Sequence, residues 1–119
     1  MKSYIQIKNE IIEEKKKYFK NYIFWCRKIK NKAKEVLKDN KLKVLVFGSV
    51  IKKCWTPNSD IDVLIISEKI GNNWEDIIRK KVEIKKSVGI FSPFQIHLAT
   101  PKEYTEWYKK FIKKDYIFV

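Results

Sequence analysis

Two aspartates, Asp60 and Asp62, stand one residue apart at the head of an apolar run, Val63-Leu64-Ile65-Ile66. In a strand, alternate side chains share a face, so this spacing points both carboxylates the same way. Side by side they repel, and a divalent cation between them relieves the repulsion. Oxygen-only ligands suit magnesium or manganese, which keep waters or substrate phosphates in their other positions. Asp60 and Asp62 are therefore the candidate catalytic and metal-ligating residues. Gly48-Ser49 follows another apolar run, Val44 to Phe47, and supplies a complementary chemistry. A glycine directly after a buried strand lets the chain turn sharply and lets a ligand approach the backbone. Ser49 then starts a helical turn whose free N–H groups and hydroxyl can receive a phosphate. Lys52, one helical turn on, is placed to neutralise an oxygen of the same triphosphate. The candidate nucleotide-binding set is Gly48, Ser49, Lys52 and Ser59, for a nucleoside triphosphate. A phosphate cradle beside a carboxylate–metal clamp is what transfer from a triphosphate requires: positioning and charge stabilisation.

The elements that must hold these residues are legible around them. Residues 3–39 contain no Gly or Pro and read as one long helix or two, with Tyr22, Cys26, Ile29, Ala33 and Val36 forming an apolar stripe. Asp39-Asn40 ends that segment. Leu42 to Phe47 reads as a buried strand, a helical turn runs from Ser49 to Cys54, and Thr56-Pro57-Asn58-Ser59 forms a loop. Asp60 to Ile66 is the second strand, with Ile61, Val63 and Ile65 facing the core. A helix over 74–87 is expected to turn Trp74, Ile77, Ile78, Val82 and the stem of Lys85 inward. Phe94 to Leu98 is the third strand. Thr100, Pro101 and Glu103 open a last helix, ending Tyr116-Ile117-Phe118-Val119, whose inner face is Tyr104, Trp107, Tyr108, Phe111 and Ile112. This order predicts an α+β fold, helices packed on a small mixed sheet, as a single domain over 1–119: an N-terminal helical segment, 1–39, and a catalytic core, 40–119.

Composition narrows the alternatives. A chain of 119 residues with 45% apolar residues can bury a core, and three Gly and three Pro argue against disorder. The net charge of +13 favours phosphate-bearing partners: nucleoside triphosphate, nucleic acid (RNA or DNA) or anionic lipid. Cys26 and Cys54 make neither a disulfide framework nor a zinc site, and read as thiols in a reducing cytoplasm. No apolar run approaches the roughly 20 residues of a membrane span, so a cytoplasmic protein with no membrane partner is expected.

The segment Phe47-Gly48-Ser49-Val50-Ile51-Lys52-Lys53-Cys54-Trp55-Thr56-Pro57-Asn58-Ser59-Asp60-Ile61-Asp62-Val63-Leu64-Ile65 resembles the DNA polymerase beta-like nucleotidyltransferases. Within that superfamily it is most similar to the small minimal nucleotidyltransferase (MNT) proteins. The resemblance implies transfer of a nucleoside monophosphate, with pyrophosphate leaving and two magnesium ions held by three acids. It also implies a HEPN-type toxin partner, against which many such proteins act as antitoxins, and hence a homo- or hetero-oligomer. Three positions depart from the family pattern. Lys52 replaces Arg, losing bidentate geometry. Lys53 replaces Gly in the turn after the cradle. Gln95 stands on the third strand where the third acid is expected, and an amide can offer oxygen to a metal but cannot accept a proton.

Three outcomes remain open at that position. Gln95 leaves nucleotide binding with little catalysis; or His97, on the same strand face, acts as the base; or another acid, Glu83 or Glu103, fills the gap. The functional readings follow: a magnesium-dependent nucleotidyltransferase moving a nucleoside monophosphate, with AMP from ATP expected, onto a protein or nucleic-acid hydroxyl; a catalytically impaired nucleotide-binding antitoxin; or a nucleic-acid-binding domain without chemistry.

Overall fold

The computed structural model describes residues 1–56 and 58–119, so Pro57, in the loop before the acids, lies outside the described residues. Two helices open the chain, α1 (Tyr4–Lys20) and α2 (Tyr22–Leu37), broken at Asn21. Ser3 caps α1 through a capping box with Gln6, and Lys38 ends α2 in the left-handed conformation at φ 53°. The strands are β1 (Lys43–Phe47), β2 (Ile61–Ile66), β3 (Phe94–Ala99) and β4 (Tyr116–Phe118). Between them lie α3 (Ser49–Lys52), α4 (Trp74–Lys86), and a final helical stretch of α5 (Pro101–Glu103), a π-helical turn over Tyr104–Tyr108, and α6 (Lys109–Ile112).

The sheet runs β3-β2-β1-β4. β1 pairs antiparallel with β2 and β4, while β2 and β3 are parallel, joined through α4. This is the mixed sheet with helices that the sequence predicts. Alternation along the strands divides the core in two. One face presents Val44, Val46, Ile61, Val63, Ile65 and Phe94 to Ile29 and Ala33 of α2 and Ile84 of α4. Each of these side chains is almost wholly buried, a contribution of about 1.5–3 kcal/mol for the larger ones. The other face places Leu45, Phe47, Leu64, Ile66 and Ala99 under Tyr104, Tyr108 and Ile112.

Three expectations about packing need correction. In α4, Trp74, Ile78 and Val82 are exposed; of the expected apolar face only Ile77 packs on the core, joined by Ile84 and, just past the helix, by Val88. In the last helical stretch, Trp107 and Phe111 are exposed while Tyr104, Tyr108 and Ile112 face the sheet. The π turn explains this: widening the helix makes a four-residue step share one face, which selects 104, 108 and 112. The C-terminal residues Tyr116–Phe118, expected at the end of the last helix, instead form a fourth strand bonded to β1.

Candidate active site at the sheet edge

The turn after β1 brings the two halves of the site together. Phe47 is the register partner of Asp62, so Gly48 leaves β1 beside the Asp62 carboxylate. A Cβ on Gly48 would lie 2.7 Å from Asp62 Oδ2, and the residue sits at φ 91°, ψ −153°, a region open to glycine alone. The backbone thus approaches the acid more closely than any side chain permits.

α3 starts at once with Ser49. The N–H groups of Ile51 and Lys52 donate to the Gly48 carbonyl at 3.1 and 3.3 Å. No side chain caps the turn, which leaves the Ser49 and Val50 N–H groups without a partner inside it. Lys53 closes α3 at φ 57°, the left-handed conformation that a glycine adopts without strain. Lys52 reaches Asp115, just before β4, at 3.8 Å, with its side chain half exposed.

Asp62 lies on the second sheet face. Its Oδ1 is 3.3 Å from His97 Nε2, and the two side chains keep 28% and 24% of their exposure. The His97 ring is held near Phe47, at 5.7 Å between centroids, and near Tyr108, at 6.2 Å. Burial pushes the Tyr108 hydroxyl above its ordinary pKa, with the Glu103 charge adding to the effect. Gln95 is the register partner of Asp62 on β3 and is exposed.

Asp60 is placed differently from the strand position expected. β2 begins at Ile61, whose N–H donates to the Pro93 carbonyl at 2.8 Å, so Asp60 precedes the ladder. It is exposed and lines a cavity of about 410 Å³ with Gln95, Lys81 and Lys85. Lys85 turns inward to donate to the Ser92 carbonyl, at 3.0 Å, and to that of Phe94. Burial lowers its pKa, and the Asp60 charge opposes that shift. Ser59 accepts the Thr56 N–H at 2.9 Å, so its hydroxyl closes the loop before the acids.

Gly48, Ser49, Asp62, Gln95 and His97 therefore gather at one edge of the sheet, with Asp60 at its margin. The other candidate acids are committed elsewhere. Glu103 completes a capping box with Thr100, and Glu83 pairs with Lys86 at 3.0 Å on α4. Among the described residues, no group of three or more His, Cys, Asp or Glu side chains is placed to hold a metal ion. The oxygens available are those of Asp60, Asp62 and the Gln95 amide, a hard donor set suited to magnesium or manganese. Missing Cβ volume at Gly48 leaves the Asp62 carboxylate approachable from that side. Asp115, beside Lys52, went unrecognised because the strand that presents it is only three residues long.

The sequence profile of the nucleotidyltransferase domain matches residues 26–119, which leaves α1 outside the match. One crystal structure of a protein provisionally assigned as a nucleotidyltransferase is similar at 30% identity and a TM-score of 0.54, covering 79% of this chain and 96% of that one. A second, from Sulfolobus solfataricus, shares 22% identity at a TM-score of 0.44 over 79% of this chain and 80% of its own. No curated protein matches the chain.

Proposed function

The chain belongs to the nucleotidyltransferase domain family, and from that premise we propose that it moves a nucleoside monophosphate, AMP, from ATP to a protein or nucleic-acid hydroxyl with magnesium. The observation that carries the reading is the 2.7 Å approach of the Gly48 Cβ position to Asp62 Oδ2. It sets a phosphate-receptive turn directly against an acid.

In this reading Ser49 and the N–H groups of its turn hold the triphosphate, and Lys52 leaves Asp115 to neutralise a phosphate oxygen. Asp60 and Asp62, with the Gln95 amide, hold the cation. Bound there, magnesium would offset the triphosphate charge and the charge gathering on pyrophosphate as it leaves. The acceptor oxygen attacks the α-phosphorus and the bond to pyrophosphate breaks. His97 orients the Asp62 carboxylate, and the acceptor's proton passes to the Asp62–His97 pair because Gln95 cannot take it.

Gln95 beside Asp62 favours a second reading: a nucleotide-binding antitoxin that neutralises a HEPN-type partner by contact, with weak chemistry or none. Incubation with magnesium, α-labelled ATP and the candidate acceptor separates the two. Transfer of label lost in Asp62→Asn and raised in Gln95→Glu supports the enzyme. A tight complex with the partner, no label in the native chain and none in Gln95→Glu, supports the binder. Label transfer unchanged in Asp62→Asn contradicts the assignment of this site.

A further inference from the structure

The end of the sheet farthest from Asp62 carries a second concavity. β1 begins there and β2 and β3 end there, and a cavity of about 700 Å³ opens between the sheet, the connection from α2 to β1 and the π turn. Lys38, Lys41, Lys43 and Lys69 line one side. None of the four forms an ion pair with a described residue. Four like charges around one hollow repel, so the loops bearing them must be held.

A hydrogen-bonded node holds them. Asp39 Oδ1 accepts the Lys41 N–H at 2.9 Å, and its Oδ2 accepts the Ser67 hydroxyl at 2.6 Å. The Ser67 oxygen in turn accepts the Lys69 N–H at 3.0 Å. Ser67 is 2% exposed, the one buried polar residue among those described. The Ser67 hydrogen bond first, then that of Lys41, holds the Asp39 carboxyl below its ordinary pKa. Both Asp39 oxygens are thus engaged in fixing the loops. Glu68 lies at the same cavity and sets a negative charge against the lysines. The opposite wall is aromatic: Tyr104, presented by the π turn, and half-exposed Phe118 of β4.

We propose that this cavity binds a nucleotide unit, free or carried by an RNA strand, separately from the acids at the other sheet edge. Lys41, Lys43 and Lys69 take the phosphates, and the base lies against Tyr104 and Phe118. Ammonium groups match phosphate oxygens, and aromatic rings match the face of any base. The volume falls in the range of small-ligand sites, roughly 300–1,000 Å³. A bare phosphate would leave the aromatic wall unused, whereas a nucleotide engages both sides.

The test uses the full chain in EDTA, which removes the divalent cation needed at Asp62. ATP binding is measured by calorimetry and binding of a short labelled single-stranded RNA by anisotropy. Lys41→Ala/Lys43→Ala/Lys69→Ala weakens binding on the order of tenfold. Lys8→Ala/Lys20→Ala/Lys28→Ala removes the same charge from α1 and α2, where all three residues are exposed, and changes binding far less. Phe118→Ala alone also weakens it, on the order of tenfold, and leaves the lysines and their node in place. Loss seen with ATP identifies a free nucleotide, and loss confined to RNA identifies a strand. Equal behaviour of the two triple variants, no loss in Phe118→Ala, or binding abolished by Asp62→Asn overturns the proposal.

Discussion

Replacing Gly48 with alanine tests the closeness of the turn to the acid. The added methyl would sit 2.7 Å from Asp62 Oδ2, where a carbon–oxygen contact needs about 3.3 Å. Positive φ at 91° adds strain of about 1–3 kcal/mol for a residue with a side chain. Relief requires the Asp62 carboxylate to swing away, which breaks its 3.3 Å contact with His97, a loss of about 1 kcal/mol. Reduced freedom of the unfolded chain returns about 0.4–1 kcal/mol. A net loss of about 1–4 kcal/mol remains, which for a chain of this size lowers the melting temperature by roughly 5–15 °C. Manganese binding, followed by the electron paramagnetic resonance of free Mn²⁺, should fall with it, because the same carboxylate has moved. Removing the obstacle in Gly48→Ala/Asp62→Ala should recover part of the lost stability. A Gly48→Ala protein that melts within about 2 °C of the native one and binds manganese equally would refute the reasoning.

Other consequences are as concrete. Lys53 holds φ 57° at the end of α3, so Lys53→Gly should stabilise the protein by about 1 kcal/mol in urea denaturation. Cys26 is buried and its thiol pushed up to about 12 by desolvation, while Cys54 is exposed, so a thiol reagent should titrate one cysteine in the native protein and two in denaturant. Asp39 lies below its ordinary value of 3.8, so its contribution to stability is present above that value and is lost as pH falls through its folded pKa. Ser67→Ala removes the largest cause of that shift and should make the acid-side decline in melting temperature shallower.

Much of the site edge was legible because β1 and β2 declare themselves locally. Val44 to Phe47 and Val63 to Ile66 are apolar runs bounded by turn chemistry, and the antiparallel register of their strands puts Gly48 beside Asp62. Elements whose geometry depends on context were not. Trp74, Ile78 and Val82 form an apolar stripe as regular as a buried one, yet contact with α2 and β3 keeps only Ile77 of the expected apolar set and adds Ile84. The π turn at Tyr104–Tyr108 changes the helical period, which no periodicity count assuming an ordinary helix can detect. Tyr116–Phe118 becomes a strand only because β1 offers a free edge. Asp60 and Asp62 differ in setting for a related reason: the ladder begins between them, so strand alternation governs only the second.

Calorimetric titration of a non-hydrolysable ATP analogue with manganese, in a cycle of Ser49→Ala, Asp62→Asn and the double variant, bears most directly on whether turn and acid grip one ligand. If a single metal–triphosphate unit spans them, the two losses are coupled, and the double variant departs from their sum by about 1 kcal/mol or more. Losses that add to within about 0.5 kcal/mol would mean that Ser49 and Asp62 serve different ligands.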